Sequence, residues 1–253
     1  MFKILSWNVN GIRAAETKGL FEFLQRESPD VLCLQETKAQ PVQLERKFLE
    51  QPGYQVYWSS AEKRGYSGTA CYVKRAPLSV QTMGRPEFDS EGRVLTLEYD
   101  DFFIVNAYWP NSREERARLP YKLDFCREIG EYCTGLVARG KHVVSCGDYN
   151  IAHEPIDLAR PRQNENSAGY YIEEREAMTR YLGLGFVDVF RHANKEPGHY
   201  TWWSYRGGAR AGNVGWRIDY HCVDAGFLPR VKRATIMPEV LGSDHCPVGL
   251  EVE

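Results

Sequence analysis

The chain has 253 residues, 43% of them hydrophobic, and a formal net charge of −2, which is enough apolar material for a substantial core and excludes a basic scaffold of the histone or ribosomal kind. A local basic patch on such a near-neutral surface stays open. Seven cysteines form no CxxC pair and several lie in apolar runs, which argues against a disulfide framework or thiolate zinc site and for a soluble protein of a reducing compartment.

In chain order, a first strand is expected at KILSWNV (3–9), followed by a helix in TKGLFEFLQRE (17–27), whose apolar face is Leu20, Phe21 and Leu24 and which stops at Ser28-Pro29. VLCLQE (31–36) reads as a buried strand. Pro41 suits the first turn of a helix over VQLERKFLE (42–50). Strands follow at YQVYWSS (54–60), TACYVKR (69–75), VLTLEYD (94–100) and FFIVNAYW (102–109). A polar helix covers much of 113–139, and KHVVSCGDYN (141–150) is another buried strand. A helix at 173–182 precedes strands at HYTWWSY (199–205), RIDYHCV (217–223), VKRATIM (231–237) and CPVGLEV (246–252). The N-terminus is apolar too briefly for a signal peptide, and no run is long enough to span a membrane. Interspersed strands and helices without a linker or repeat predict one domain, 1–253, with an α/β layered fold.

Several strands close on polar groups: Asn8 and Asn10, then Glu36, then Asp148 and Asn150. Asp219 sits in RIDY, and Asp244-His245 opens the last strand. Singly, each is an ordinary turn former or surface charge. Together they are hard to explain as turns, because strand ends are where α/β sheets collect functional residues. Carboxylate and amide oxygens without converging cysteines suit a hard cation such as Mg²⁺ or Mn²⁺. An Asp–His pair such as Asp219 with His245 orients an imidazole and biases it toward its charged form. These are the parts of a metal-assisted phosphate-ester hydrolase.

The blocks SWNVNGIRA, CLQETK, NAYWPN, GDYNIAH, NVGWRIDY and GSDHCPV, in that order, closely resemble the exonuclease III family of apurinic/apyrimidinic (AP) endonucleases, within the endonuclease/exonuclease/phosphatase superfamily. The resemblance implies a four-layer α/β sandwich: two packed mixed β-sheets flanked by helices, with the site at one end. It implies Glu36 as the principal Mg²⁺ ligand, with Asn8, Asn10, Asp148, Asn150, Asp244 and His245 completing the expected metal site. Mn²⁺ is expected to substitute. Asp148 would handle a proton, Asn150 would hold phosphate and water, His245 paired with Asp219 would contact the phosphate, and Tyr108 would support it.

YTWWSYRGGARAGNVGWR (200–217) interleaves aromatics with Arg206, Arg210 and Arg217, a pattern that fits either core strands around a loop or a grip on a nucleic-acid backbone. The resemblance makes Trp202 and Trp216 the walls of a pocket for a flipped abasic sugar and Arg206 a side chain inserted into the duplex. Arg13, Asn111, Arg113, Asn164 and Arg210 join the expected DNA-binding set, and Lys38, Lys63 and Arg64 lie near plausible DNA-facing edges. Three departures from the family pattern stand out: Ser167 replaces an Asn, Tyr149 replaces a Phe, and His221-Cys222 replaces an aromatic–aliphatic pair. The implied function is Mg²⁺-dependent incision on the 5′ side of abasic sites in duplex DNA, with 3′→5′ exonuclease and 3′-phosphodiesterase activity. A member specialised for 3′-end exonuclease or 3′-phosphatase work is the alternative. A monomer without membrane contact is expected, and the lack of an extension before the first block fits a cytoplasmic protein.

Overall fold

The computed structural model describes all of residues 1–253. The chain runs β1 (Phe2–Asn8), α1 (Ile12–Glu16), α2 (Leu20–Glu27), β2 (Val31–Gln35), α3 (Arg46–Leu49), β3 (Gln55–Ser59), β4 (Thr69–Val73), β5 (Ser79–Gln81), α4 (Pro86–Asp89), β6 (Val94–Glu98) and β7 (Phe102–Tyr108). It continues through α5 (Leu119–Val137), β8 (His142–Asp148), α6 (Ile172–Gly183), β9 (Phe186–Asp188), α7 (Val189–Ala193), β10 (Asp219–Asp224), β11 (Val231–Ile236) and β12 (Val248–Val252). Two six-stranded sheets result, in the orders β11-β12-β1-β2-β4-β3 and β5-β6-β7-β8-β10-β9. No helix is long and apolar enough to cross a membrane.

Alternation along the strands builds the layers. Ile4, Val31, Cys33, Cys71 and Val73 of the first sheet meet Leu95, Leu97, Ile104, Val144 and Cys146 of the second in a central apolar layer. The intervening residues Leu5, Trp7, Leu32 and Leu34 face outward under α1 and α2. Phe103, Val105 and Val143 do the same under α5 and α6, against Phe125, Ile129, Met178 and Tyr181. Each such fully buried side chain contributes about 1.5–3 kcal/mol. All seven cysteines are free and buried among these layers. The observed architecture is the expected four-layer sandwich.

One parallel pair in each sheet, β1–β2 and β7–β8, fixes where polar residues gather. Parallel strands finish at the same edge, so Asn8 and Gln35 come into register and Tyr108 comes into register with Asp148. β10 runs antiparallel to β8 and starts where β8 stops, with Asp219 opposite Asp148. β12 runs antiparallel to β1, so the segment just before it returns to that edge as well. A buried amide group ties the sheets together just below: Gln35 Nε2 donates to Ser6 Oγ at 3.0 Å and Asn106 Oδ1 at 2.7 Å, and Asn106 Nδ2 donates to the carbonyls of Leu34 and Ala70.

The structure corrects several expected elements. HYTWWSY forms no strand: Trp202 makes isolated bridges to Trp216 and His245. The stretch after Pro41 breaks into a short turn at 41–43 and the four-residue α3, because Leu44 is extended between them. The helix expected over much of 113–139 is α5, Leu119–Val137; the residues before it stay outside, with Arg113, Glu115 and Arg116 at positive φ, a region costly for side-chain-bearing residues. The short elements β5, β9, α1, α4 and α7 were outside the expected set.

Gly147 lets β7 and β8 close at the functional edge. Its φ is +140°, and a Cβ there would sit 1.9 Å from the Ala107 carbonyl oxygen. Gly147→Ala is therefore expected to destabilise the fold by roughly 2–4 kcal/mol, read as a lowered urea midpoint. An unchanged midpoint would show that the sheet has room at this edge.

Candidate active site

At the converging strand ends lies a cleft of about 930 Å³ whose lining includes Glu36, Tyr108, Asn111, Asp148, Asn150, Asn164, Trp202, Arg206, Trp216, Asp244 and His245. Eleven of the residues singled out in the sequence thus share one surface.

The floor is built by crossed hydrogen bonds. Asn8 Nδ2, from the first sheet, donates to Glu36 Oε1 at 2.9 Å and to Asp148 Oδ2 of the second sheet at 2.8 Å. Asp148 Oδ1 accepts the Asn150 amide at 2.8 Å. Asn150 has φ +52°, a conformation asparagine tolerates better than most residues. Its side chain is held by Asn111 Nδ2 at 3.0 Å and by the Trp109 carbonyl. Tyr149, between them in sequence, points the other way: it stacks on Trp109 with ring centres 4.2 Å apart and shares a 2.8 Å hydrogen bond with Ser145. That position is a packing substitution with a satisfied hydroxyl.

Behind the floor, His245 Nδ1 lies 2.9 Å from Asp219 Oδ2, and His245 Nε2 lies 3.9 Å from Asp148 Oδ2. Burial works against charge on this imidazole, but Asp219 and Asp148 outweigh it and push the pKa up to about 10. Burial also raises the Asp148 carboxyl, against the pull of His245 and with the push of Asp219 and Glu36, to about 7. The Thr201 hydroxyl accepts the Ile218 and Asp219 amides, fixing the start of β10. Burial pushes the Tyr108 hydroxyl well up, reinforced by Glu36 and Asp148, so it remains a donor.

The side that could hold a cation is built from oxygens. Glu36 is flanked by Asn8, while Asn10 Nδ2 donates to Asp244 Oδ1 at 2.9 Å and the Trp202 indole donates to Asp244 Oδ2 at 3.0 Å. Burial would raise both carboxyls. Lys38 and Asn8 outweigh it at Glu36, as His245 and Trp202 do at Asp244, and both stay below the usual range. Lys38, which the sequence placed only on a DNA-facing edge, pairs with Glu36 Oε2 at 2.8 Å and contacts Asn10 Oδ1. A charged nitrogen thus already marks the locus as one that draws cations. Five carboxylates line the cleft (Glu36, Glu114, Glu115, Asp148 and Asp244) against the guanidinium groups of Arg160 and Arg206. A phosphate approaching them is repelled unless further positive charge is present. With every thiol in the core, this donor set fits a hard divalent ion. Asp148, Asp219 and His245 also bring ligand-type atoms within 4.8 Å of one another. With Nδ1 engaged by Asp219, Nε2 is the His245 atom left to face a ligand.

Trp202 and Trp216 form one wall, their rings edge-to-face at 6.2 Å, with Tyr170 edge-on to Trp216. Arg206 projects from the exposed loop at the rim. Ser167, which also lines the cleft, hydrogen-bonds Asn164 at 3.2 Å. Three arginines of the expected DNA-binding set do not line the cleft. Arg210 stacks on Trp203 and donates to the carbonyls of Ser243, Pro238 and Val240. Arg13 donates to the Gln43 carbonyl, and Arg113 is exposed beside the mouth, its amide bonded to Asn111. Arg217, grouped in sequence with Arg206 and Arg210, is buried against Asp157 and Asp188 at 2.8 and 2.7 Å, so its role is structural. Thr201 and Lys38 lie inside the quoted blocks, but nothing in the sequence pointed to these places in the site.

The comparisons agree with this geometry. A model of the Endonuclease/Exonuclease/phosphatase family matches residues 5–245. An exodeoxyribonuclease of Bacillus subtilis (strain 168) is 47% identical over 251 residues, covering 98% of both chains. The DNA repair nuclease APEX1 of Danio rerio is 44% identical over 252 residues, 98% of this chain and 81% of that one. Among solved structures, an AP endonuclease from Leishmania major superimposes with a TM-score of 0.89 at 32% identity, over 98% of this chain and 86% of that one. A 3′ phosphatase from Neisseria bound to a product DNA hairpin gives 0.90 at 26% identity over 100% of both. The chain belongs to the endonuclease/exonuclease/phosphatase family, in its exonuclease III branch of AP endonucleases and exodeoxyribonucleases.

Proposed function

We propose that this protein is a DNA-repair nuclease that hydrolyses the phosphodiester on the 5′ side of an abasic site in duplex DNA, leaving a 3′-hydroxyl, and trims blocked 3′ ends in the same cleft. The observation that carries the reading is the adjacency of two features: the Asp148–His245–Asp219 group on the floor, and the Trp202–Trp216 corner beside it, joined through the indole bond to Asp244. A corner of edge-to-face aromatics suits a compact apolar sugar face, and an abasic nucleotide costs less to extrude than one with a stacked base.

Glu36, Asp244, Asn8 and Asn10 would hold Mg²⁺, with Mn²⁺ as a substitute. Bound there, the ion supplies polarisation of the phosphoryl oxygens and stabilisation of the leaving alkoxide. The chain's own residues do the rest. Asp148, gripped by Asn8 and the Asn150 amide, takes the proton of the attacking water. Imidazolium His245, oriented by Asp219, donates to a non-bridging phosphate oxygen, and Tyr108 donates from the facing strand. Arg206 reaches toward the duplex from the rim. The protein acts as a monomer in this reading.

An end-labelled duplex with one internal abasic analogue tests the proposal. A single divalent-ion-dependent cut immediately 5′ to the lesion is expected. A ladder from the 3′ end with the lesion intact would favour the 3′-end specialist, and binding without cleavage would overturn hydrolysis. Asp148→Asn is expected to lower kcat by about 10²–10⁴-fold with DNA affinity largely kept; a near-normal rate would remove Asp148 from proton transfer. Catalysis needs Asp148 deprotonated and His245 protonated, so the rate should rise with pH through the Asp148 ionisation and fall through that of His245. A bound cation moves both limbs to lower pH. A profile without an alkaline limb would contradict the imidazolium role.

A further inference from the structure

His221 is the one departure from the family pattern that the chemistry above leaves unused. It lies two residues beyond Asp219 on β10, so both side chains point to the same face, between the sheets. The ring is buried, and its Nε2 has no protein partner. Asp219 presents the matching vacancy: Oδ2 holds His245 Nδ1, while Oδ1 is buried without a protein partner. Buried polar atoms are nearly always satisfied, and each exception calls for an explanation.

Both residues line the same small cavity, which also touches Thr235 and Gly249 and measures about 10 Å³. That is the scale of one water site, and the unpaired Asp219 Oδ1 and His221 Nε2 supply the polar partners such a water needs. The rest of the wall is mainly apolar and includes Phe190, Ile236 and Val248, and Gly249 must stay small, since a Cβ there would meet Thr235 Oγ1 at 2.6 Å. Burial pushes the His221 imidazole down to about 3, so the ring is neutral and offers one N–H.

We infer that this cavity holds one ordered water that accepts from His221 Nε2–H and donates to Asp219 Oδ1, making His221 a positioning residue for the Asp219–His245 pair. Held at one oxygen only, the Asp219 carboxylate can rotate about its terminal bond and loosen its grip on His245. With the second oxygen anchored, the carboxylate plane is fixed and the imidazole keeps its orientation toward the scissile phosphate. Outer groups of this kind commonly alter activity by about 10–100-fold when removed.

The inference rests on the proposed nuclease reading for its kinetic consequence, whereas the water and the imidazole orientation can be measured without activity. A high-resolution crystal structure should show one water within hydrogen-bond distance of both Asp219 Oδ1 and His221 Nε2; an empty or apolar-filled cavity would overturn the proposal. In ¹⁵N NMR, His221 should be the neutral Nε2–H tautomer. The His245 Nδ1–H resonance, sharp in the wild type, should broaden in His221→Phe, and an unchanged line would overturn the positioning role. On the abasic duplex, His221→Phe should lose roughly 10-fold in kcat with KM held, and His221→Gln, which keeps a donor, should recover most of it. Equal losses in both variants, or a loss confined to KM, would assign His221 to packing alone. If the wild type cleaves no abasic duplex, the functional reading fails while the water and NMR results still decide this one.

Discussion

The structure depends on one hydrogen bond that crosses between its two sheets. Asn8 ends the central strand of the first sheet, Asp148 ends the central strand of the second, and the 2.8 Å contact between them places the two sheets' polar edges in register. Glu36 on the other side of Asn8 and Asn150 on the other side of Asp148 are then located to within a side chain's reach. The buried amides of Gln35 and Asn106 prevent the sheets from sliding beneath this contact, since any shift would strand several polar groups in an apolar layer. Apolar packing alone would tolerate small slips; the amide pairing does not.

Electrostatics at that edge is set by the same construction. Burying Asp148 and the His245 imidazole together there makes both hold protons more tightly than they would in water. The acids divide by depth and neighbour. Asp148, in the interior beside Asp219 and Glu36, is held up; Glu36 and Asp244, with Lys38, His245 and amide donors at hand, are held down. One cleft therefore offers a proton acceptor and permanent anions a few ångströms apart, a division of labour that identical side chains acquire only from their surroundings. Farther out, Arg217 and Arg191 share the buried carboxylate of Asp157 and pin the loop after β8 to the segment leading into β10. Removing either partner of such a pair leaves a buried charge, at a cost of about 3–5 kcal/mol.

The layered class and most strands were legible because β2, β7 and β8 are buried on both faces and read as unbroken apolar runs. Glu36 and Asp148 were legible because each closes such a run, and Asp219 and Asp244 because each stands at the mouth of a strand. HYTWWSY misled for a physical reason: alternating aromatics also serve a segment that lays indoles against a cleft and pairs only at isolated points. The helix read within 113–139 starts at Leu119 because the loop before it takes positive φ at Arg113, Glu115 and Arg116. Lys38 and Thr201 lay inside blocks that the sequence singled out, but their places in the site come from contacts made across the fold. Arg210 and Arg217 resembled a nucleic-acid grip in sequence, yet the fold uses them as internal cross-links. Charge and spacing alone do not distinguish a guanidinium facing water from one bonded to three carbonyls.

The distribution of the cysteines carries a practical consequence. Cys33, Cys71 and Cys146 lie in the central layer, and Cys126, Cys133 and Cys222 lie beneath α5 and α6, while Cys246 sits beside Trp203 next to the catalytic edge. None exposes a thiol, and burial raises those of Cys33, Cys126, Cys133, Cys222 and Cys246, suppressing the reactive thiolate. Oxidants of the kind that damage DNA would thus meet a protein whose thiols are out of reach while it is folded. The same thiols act as built-in clocks for separation of the layers: the order in which an alkylating reagent reaches them records which interface of the sandwich opens first.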